Sequence, residues 1–192
     1  MTKIEKLLKK AQSGDVDAQY QLGIEYLVAD FSLAFKWLKE AASKNHLDAS
    51  RILGSIFFNK AEHIEQLKRE ADLNDPVACF VLGQHYLYAS GVERDTHKGQ
   101  ELLAKASEGG MALPAFNLGI MYLNGELLSE KDHKKAIHWF KEAYRLGSDV
   151  SACALMHIYN GKYDPEDADP KQAEYWNHIV DQLLDEGKLN DE

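Results

Sequence analysis

The chain has 192 residues, of which 45% are hydrophobic, so it is long enough to bury a core of its own. Its 22 Lys and Arg residues are outnumbered by 31 Asp and Glu residues, and the net charge of −9 argues against nucleic acid or an anionic membrane surface as partner. Two cysteines do not make a disulfide framework, and neither a signal peptide nor a membrane-length apolar run is visible, so we expect a cytoplasmic protein.

The first predicted element is a short helix near the N-terminus. It has an apolar residue at Leu7 and a small residue at Ala11. Gly14 then suits the left-handed conformation that ends many helices. The same pattern returns at the ends of later predicted helices. We therefore interpret residues 1–14 as a cap that covers the first unit of a repeating structure.

A motif of the form Leu-Gly-x-x-Tyr, with one near copy and one degenerate copy, recurs after this helix. Its leucines are Leu22, Leu53, Leu82, Leu118 and Leu155. Eight residues before each leucine stands a glycine or an asparagine, the two residue types that best tolerate a left-handed helix end. These residues are Gly14, Asn45, Asn74, Gly110 and Gly147. Agreement at one offset in five copies indicates a tandem array.

Each repeat divides into two predicted helices, A and B. Helix A carries the Leu-Gly-x-x-Tyr motif, and helix B carries small and bulky residues at i, i+3, i+4 and i+7, as in "AIHWFKEA" at 136–143. The glycine of helix A, such as Gly119, is predicted to make room for the bulky residues of a helix B. The tryptophans of the B helices, Trp37, Trp139 and Trp176, are interpreted as core. The predicted N-caps of the later B helices are Asp95, Asp132 and Asp169.

The segments "LGIMYLNG" and "DHKKAIHWFKEA" resemble the Sel-one-like repeat (SLR) family, relatives of the tetratricopeptide repeat (TPR), and the resemblance runs from about residue 6 to about residue 180. It implies an all-α fold, a right-handed α-α superhelix of about five SLR/TPR-like helix pairs plus the N-terminal capping helix. The whole of 1–187 is then expected to form one solenoid. Its repeats lie at about 15–45, 46–74, 75–110, 111–147 and 148–187, and the tail at 188–192 is expected to fray.

The second repeat departs most from the family pattern. Gln66 replaces the aromatic residue of its B helix and Glu70 replaces the following alanine, so this helix is the least regular of the predicted elements. The loops between the helices of the first two repeats are also about six to eight residues shorter than those of the other three.

Candidate chemistry in the sequence is sparse. The eight histidines are scattered over different repeats, and His133 and His138 stand five apart, which is the wrong interval for one helical face. The stretch "DPEDADP" at 164–170 lacks the glycine and the terminal glutamate of a calcium loop and favours a solvated acidic loop. Cys79 and Cys153 lie on separate A helices with no base beside either. We predict no enzyme, no cofactor and no metal site.

A candidate binding surface comes from the second face of the A helices. With the anchor leucine at 0° and about 100° per residue, the packing face centres near 50°, whereas offsets −2, +2, +5 and +6 point the other way. Many residues there are apolar or aromatic, and the resemblance places A helices on the concave surface. Aromatics at offset −2, Tyr20, Phe80 and Phe116, are interpreted as structural. The predicted partner-binding residues are Arg51, Phe58, Asn59, Gln84, Tyr88, Asn124 and His157.

An apolar and aromatic groove with a few polar groups is typical of protein-binding surfaces. The sequence therefore favours a non-enzymatic, bacterial protein–protein interaction module, an adaptor or regulator that binds a protein or peptide. The resemblance implies two alternatives. One is an immunity protein or antagonist that neutralises a toxin or secreted effector, and the other is a hydrolase of β-lactam type, although the relatives linked to β-lactams carry regular cysteine pairs that this chain lacks. Self-association through the groove is a further alternative.

Overall fold

The computed structural model describes residues 2–56, 61–126 and 131–189 of the chain. This part of the chain contains eleven α-helices and a single 3-10 turn, and it contains no strand. The predicted all-α class is therefore confirmed. The helices fall into two compact units, Met1–Met111 and Ala112–Glu192, which are described one after the other.

Unit 1 contains the N-terminal helix and three A–B pairs. The helices are α1 (Lys3–Gln12), α2 (Val16–Tyr26), α3 (Phe31–Ala42), α4 (Leu47–Ile56), α5 (Ala61–Asp72), α6 (Pro76–Tyr88) and α7 (Thr96–Glu108). Helix α1 buries Ala11 and packs Leu7 and Leu8 against a cluster that includes Leu22 and Trp37 of the first repeat, as expected of a cap. Helix α5 forms despite its irregular sequence, with Leu67 buried.

Unit 2 contains two further A–B pairs. Its helices are α8 (Ala112–Asn124), α9 (His133–Arg145), α10 (Val150–Tyr159) and α11 (Pro170–Asp185), with the 3-10 turn Pro165–Asp167 between the last two. Leu123 of α8 and buried apolar residues of α9, α10 and α11 form one hydrophobic cluster, and Leu189 packs against it while partly buried. The remaining tail residues, 190–192, lie outside the described residues.

The ends of the helices follow local sequence signals. All five predicted left-handed residues, from Gly14 to Gly147, have positive φ angles, between 58° and 100°. The predicted N-caps Asp95, Asp132 and Asp169 each accept a hydrogen bond from a backbone N–H of the first turn that follows. The sequence analysis missed three further aspartate caps, Asp15, Asp30 and Asp75, of helices α2, α3 and α6.

The glycines of the A helices lie against the B helices of their own repeats. A Cβ atom added to Gly23 would lie 2.5 Å from Leu38 Cγ, and one added to Gly119 would lie 2.6 Å from Phe140 Cε1. The side chain that fills the space is thus the residue after the tryptophan. Gly54 differs, because the atoms nearest to its added Cβ belong to α6 and lie 3.6 Å away.

Two of the three tryptophans are core residues, as predicted. Trp37 belongs to the cluster beside α1, and Trp176 packs edge-on against Tyr144 of α9 at a ring separation of 5.3 Å. These two indoles therefore contact the preceding B helix or the cap. Trp139 is only half-buried, and its ring lies edge-on to His138 at 5.1 Å, so the core interpretation is wrong for this residue.

Candidate partner-binding surface

The residue six positions after the anchor leucine is open to solvent in the first, third and fourth repeats, whereas Gly161 of the fifth repeat is half-buried. Val28 is 100% exposed and Tyr88 is 60% exposed, and Asn124 is exposed as well. Each stands at or just beyond the end of an A helix, where the chain enters the loop to the B helix of the same repeat. A large apolar side chain at such a position gains little from the core, so Val28 and Tyr88 are apolar side chains of the A-helix ends that are open to a partner.

In unit 1, the other predicted residues lie on α4 and α6. Arg51 is exposed and forms an i,i+3 ion pair with Asp48 at 3.7 Å, which is a weak constraint at the surface. Gln84 is half-buried, with its Nε2 3.6 Å from the position of a Cβ atom added to Gly54. The amide of α6 therefore packs over the small residue of α4, and these two A helices are in direct contact.

In unit 2, the two predicted residues lie on α8 and α10. Asn124 Nδ2 donates a hydrogen bond to Glu126 Oε1 at 3.0 Å, so this amide is held beside a carboxylate. His157 is half-buried, and desolvation lowers the pKa of its imidazole, with the nearby Lys162 acting in the same direction. His157 is therefore expected to be neutral at pH 7, able both to donate and to accept a hydrogen bond.

The exposed face of the A helices is narrower than the sequence predicts. Leu87 and Leu123, both at offset +5, are only 1% and 3% exposed. Leu87 packs against the B helix of its own repeat, because a Cβ atom added to Gly99 would lie 2.6 Å from Leu87 Cγ. An offset of +5 corresponds to about 140°, which lies at the border of the packing face. Contact with the B helix extends to this position and buries its side chain.

The aromatics at offset −2 have structural contacts, as predicted. Phe80 is buried, Tyr20 stacks on His46 with ring centroids 4.4 Å apart, and Phe116 lies 5.6 Å from Phe140. The predicted residues Phe58 and Asn59 lie outside the described residues. The remaining predicted residues thus fall into two sets, with Arg51, Gln84 and Tyr88 in unit 1 and Asn124 and His157 in unit 2.

Comparison with known repeats places the chain in a family. The Sel1 repeat pattern matches residues 16–46, 76–111 and 115–148, which together make up more than half of the chain. The chain belongs to the Sel1 repeat family. The matches coincide with the first, third and fourth repeats. The unmatched second and fifth copies are those in which Leu-Gly-x-x-Tyr is altered.

Solved Sel1 repeat structures share the fold. A Sel1 repeat protein from Oxalobacter formigenes is 25% identical with a TM-score of 0.54, and the match covers 94% of this chain and 78% of that one. Cysteine-rich protein B from Helicobacter pylori is 26% identical with a TM-score of 0.52, over 66% and 95% of the two chains. An immunity protein from Pseudomonas aeruginosa is 20% identical with a TM-score of 0.59, over 97% and 75%, which shows the fold alone. No curated protein matches the chain.

Sel1 repeats are protein-interaction modules, and their fold is generally a scaffold for binding proteins. The thiols of this Sel1 repeat protein suit a structural role, since burial raises the pKa of both Cys79 and Cys153 and so disfavours the nucleophilic thiolate. Over the described parts of the chain, no helix is both long and apolar enough to cross a membrane.

Among the described residues, one group of side chains that could hold a metal ion was not predicted from the sequence. His133, Asp164 and Asp167 lie together in unit 2, with one nitrogen or oxygen ligand atom from each within 4.8 Å of the others. The interval between the histidine and the aspartates is more than 30 residues, so no local spacing rule could have found the cluster. The acidic loop "DPEDADP" was the only signal, and it was interpreted without its histidine.

Proposed function

We propose that this Sel1 repeat protein is a non-enzymatic adaptor or regulator that binds another protein through the exposed faces of its A helices. The observation that carries the proposal is the solvent exposure six residues after the anchor leucine, with Val28 and Tyr88 at this position in unit 1. Tyrosine is enriched among the residues that dominate binding energies, because it buries a large area and also offers a hydroxyl group.

Polar side chains accompany these apolar residues in unit 1, and polar side chains of the A helices are also available in unit 2. The guanidinium of Arg51 offers five donors, and its surface pair with Asp48 is weak enough to be exchanged for a partner's carboxylate. In unit 2, Asn124 and neutral His157 can each donate and accept. A few directional groups beside an apolar anchor are what sets orientation at a protein interface.

The charge of the chain favours a basic partner. Unit 2 contains eight Lys and Arg residues against 15 Asp and Glu residues, a net charge of −7 out of the total of −9. Complementary charge steers association and excludes partners of like charge more than it adds affinity. We therefore expect a partner whose contact surface combines apolar side chains with Lys or Arg residues.

An antagonist of a toxin or secreted effector is a narrower form of the same proposal, because neutralisation needs only a tight complex with one target. Two proteins of this fold are named immunity proteins, each at 20% identity to this chain. The activity of the captured partner decides between the two forms. An adaptor leaves that activity unchanged, whereas an antagonist inhibits it when added in equimolar amount.

The test is capture from a lysate of the native host by the immobilised full chain, followed by mass spectrometry. The double variant Tyr88→Ala with Asn124→Ala should lose the captured protein while its circular dichroism stays that of the wild type. Tyr175→Ala is the matched control, because Tyr175 is a similarly exposed tyrosine, at 53%, on the B helix α11. Equal capture by the double variant and the wild type would refute the assigned residues. A monodisperse dimer with no captured protein would point to self-association.

A further inference from the structure

Three side chains from distant parts of the sequence meet at the start of helix α9. His133 is the first residue of α9. Asp164 directly precedes the 3-10 turn before α11, and Asp167 is the last residue of that turn. His133 Nδ1 is in hydrogen-bonding contact with Asp167 Oδ2. One imidazole nitrogen of His133 and one carboxylate oxygen from each of the two aspartates lie within 4.8 Å of one another. All three residues are half-buried.

Hydrogen bonds of the backbone and of two aspartate side chains hold both sides of this cluster in place. The start of α9 is fixed by Asp132, whose side chain caps the helix and whose N–H donates to Tyr122 O at 2.9 Å. The loop is fixed by Asp164 Oδ1, which accepts from Glu166 N at 2.9 Å, and by Asp169 N, which donates to Tyr159 O at 3.0 Å. The three ligand groups are therefore presented by a preorganised frame.

We propose that His133, Asp164 and Asp167 form a binding site for a divalent transition-metal ion. Two carboxylates, with two negative charges between them, lie beside one imidazole. A protonated imidazole supplies only one positive charge, whereas a divalent ion supplies two. Ligands about 2.1 Å from a tetrahedral metal lie roughly 3.4 Å from one another. The three ligand atoms, which lie within 4.8 Å of one another, are thus close to the spacing that a metal ion requires.

The donor set selects the type of ion. One imidazole nitrogen with two carboxylate oxygens suits Zn²⁺ and its substitute Co²⁺, whereas Ca²⁺ and Mg²⁺ prefer sites made of oxygen alone. The fourth position is left to water. The His133 nitrogen coordinates through its lone pair, so a proton shared with Asp167 leaves to solvent when the metal binds. The bound ion ties the start of α9 to the loop before α11.

The competing explanation is a plain ion pair between His133 and Asp167, without a metal. Calorimetric titration of the chelator-treated full chain with Zn²⁺ separates the two. We expect one ion per chain, a rise in melting temperature on binding, Co²⁺ absorption bands of a tetrahedral site, and no comparable binding of Ca²⁺. His133→Gln and Asp167→Asn should each weaken Zn²⁺ binding at least tenfold.

His138→Gln is the control, because His138 is an exposed imidazole on the same helix, outside the cluster. It should bind Zn²⁺ like the wild type. Asp164→Asn provides a second variant that retains an oxygen to accept from Glu166 N, so weaker binding with normal helicity cannot be a folding defect. Zn²⁺ affinity that is unchanged in His133→Gln and Asp167→Asn would overturn the proposal. A melting temperature that these variants lower, in a wild type that does not respond to Zn²⁺, would establish the ion pair instead.

Discussion

At the scale of single residues, the glycines of the A helices set how closely the helices of a pair approach. Glycine costs a helix about 1 kcal/mol relative to alanine, yet a Cβ atom at Gly119 would lie 2.6 Å from the ring of Phe140. We predict that Gly119→Ala lowers the free energy of unfolding by about 1–3 kcal/mol, because overpacking outweighs the better helix propensity. Urea denaturation followed by circular dichroism measures this change.

Gly54→Ala is the matched control for that substitution. Gly54 is also helical, but the nearest atoms to its added Cβ are at 3.6 Å, an ordinary contact. Its replacement should leave the free energy of unfolding unchanged or raise it by up to about 1 kcal/mol. If both alanine variants were equally stable, the close approach at Gly119 would not be what requires glycine.

A buried histidine makes stability depend on pH. Desolvation lowers the pKa of His85 from 6.5, although its Nδ1 contact with the carbonyl of Ser90 acts in the opposite direction. Below about pH 6.5 the unfolded chain therefore binds more protons than the folded chain at this site. Its contribution to stability is present above that pH and is lost as the pH falls, with a slope of at most about 1.4 kcal/mol per pH unit.

The measurement compares the wild type with His85→Gln. Free energies of unfolding at pH 7.5, 6.5 and 5.5 should fall more steeply with decreasing pH in the wild type. The difference between the two slopes isolates His85 from the carboxylates and from His157, which titrate in both proteins. Parallel slopes would mean that His85 takes up its proton equally well in the folded chain.

At the scale of helices, aspartate caps fix where the elements begin. Asp95 accepts from Lys98 N at 2.9 Å at the start of α7, whereas Asp149 makes no side-chain cap bond at the start of α10. Asp95→Ala should lower the free energy of unfolding by about 0.5–2 kcal/mol. The same substitution at Asp149 should change it by less than about 0.5 kcal/mol. Equal losses in urea denaturation would contradict the capping assignment.

Local chemistry explains which parts of the fold the sequence could predict. Left-handed glycines and asparagines, aspartate caps and the small–large spacing of helix pairs are all local signals, and the structure confirms them at Asn74, Asp132 and Gly119. The side-chain contacts between helices could not be predicted from local signals. The burial of Leu87 and the contact of Gly54 with α6 depend on how helices approach one another, which rotation about a single helix axis does not determine.

The candidate sites show the same division. The exposure of Tyr88 and Asn124 follows from the helical projection, because each residue stands opposite the packing face of its own helix. The meeting of His133 with Asp167 joins the start of one helix to a loop 34 residues later. Only the packing of unit 2 brings these side chains together, so no local spacing in the sequence links His133 to Asp167.

At the scale of the whole molecule, the packing of A helices against B helices buries most of the hydrophobic side chains of the repeats. What remains apolar and open on the A helices is available to a partner. The excess of acidic residues in unit 2, which accounts for −7 of the net charge of −9, favours a partner with basic residues. The central claim is therefore that a protein binds this exposed A-helix face.

Site-specific photo-crosslinking tests that claim most directly. A photoreactive phenylalanine analogue placed at Tyr88 lies on the exposed end of α6, and the same analogue at Tyr175 lies on the exposed side of α11. In host cells, the Tyr88 probe should give a single covalent adduct with the captured partner, and the Tyr175 probe should give none. An adduct at Tyr175 with none at Tyr88 would contradict the account, because the partner would then bind a B helix.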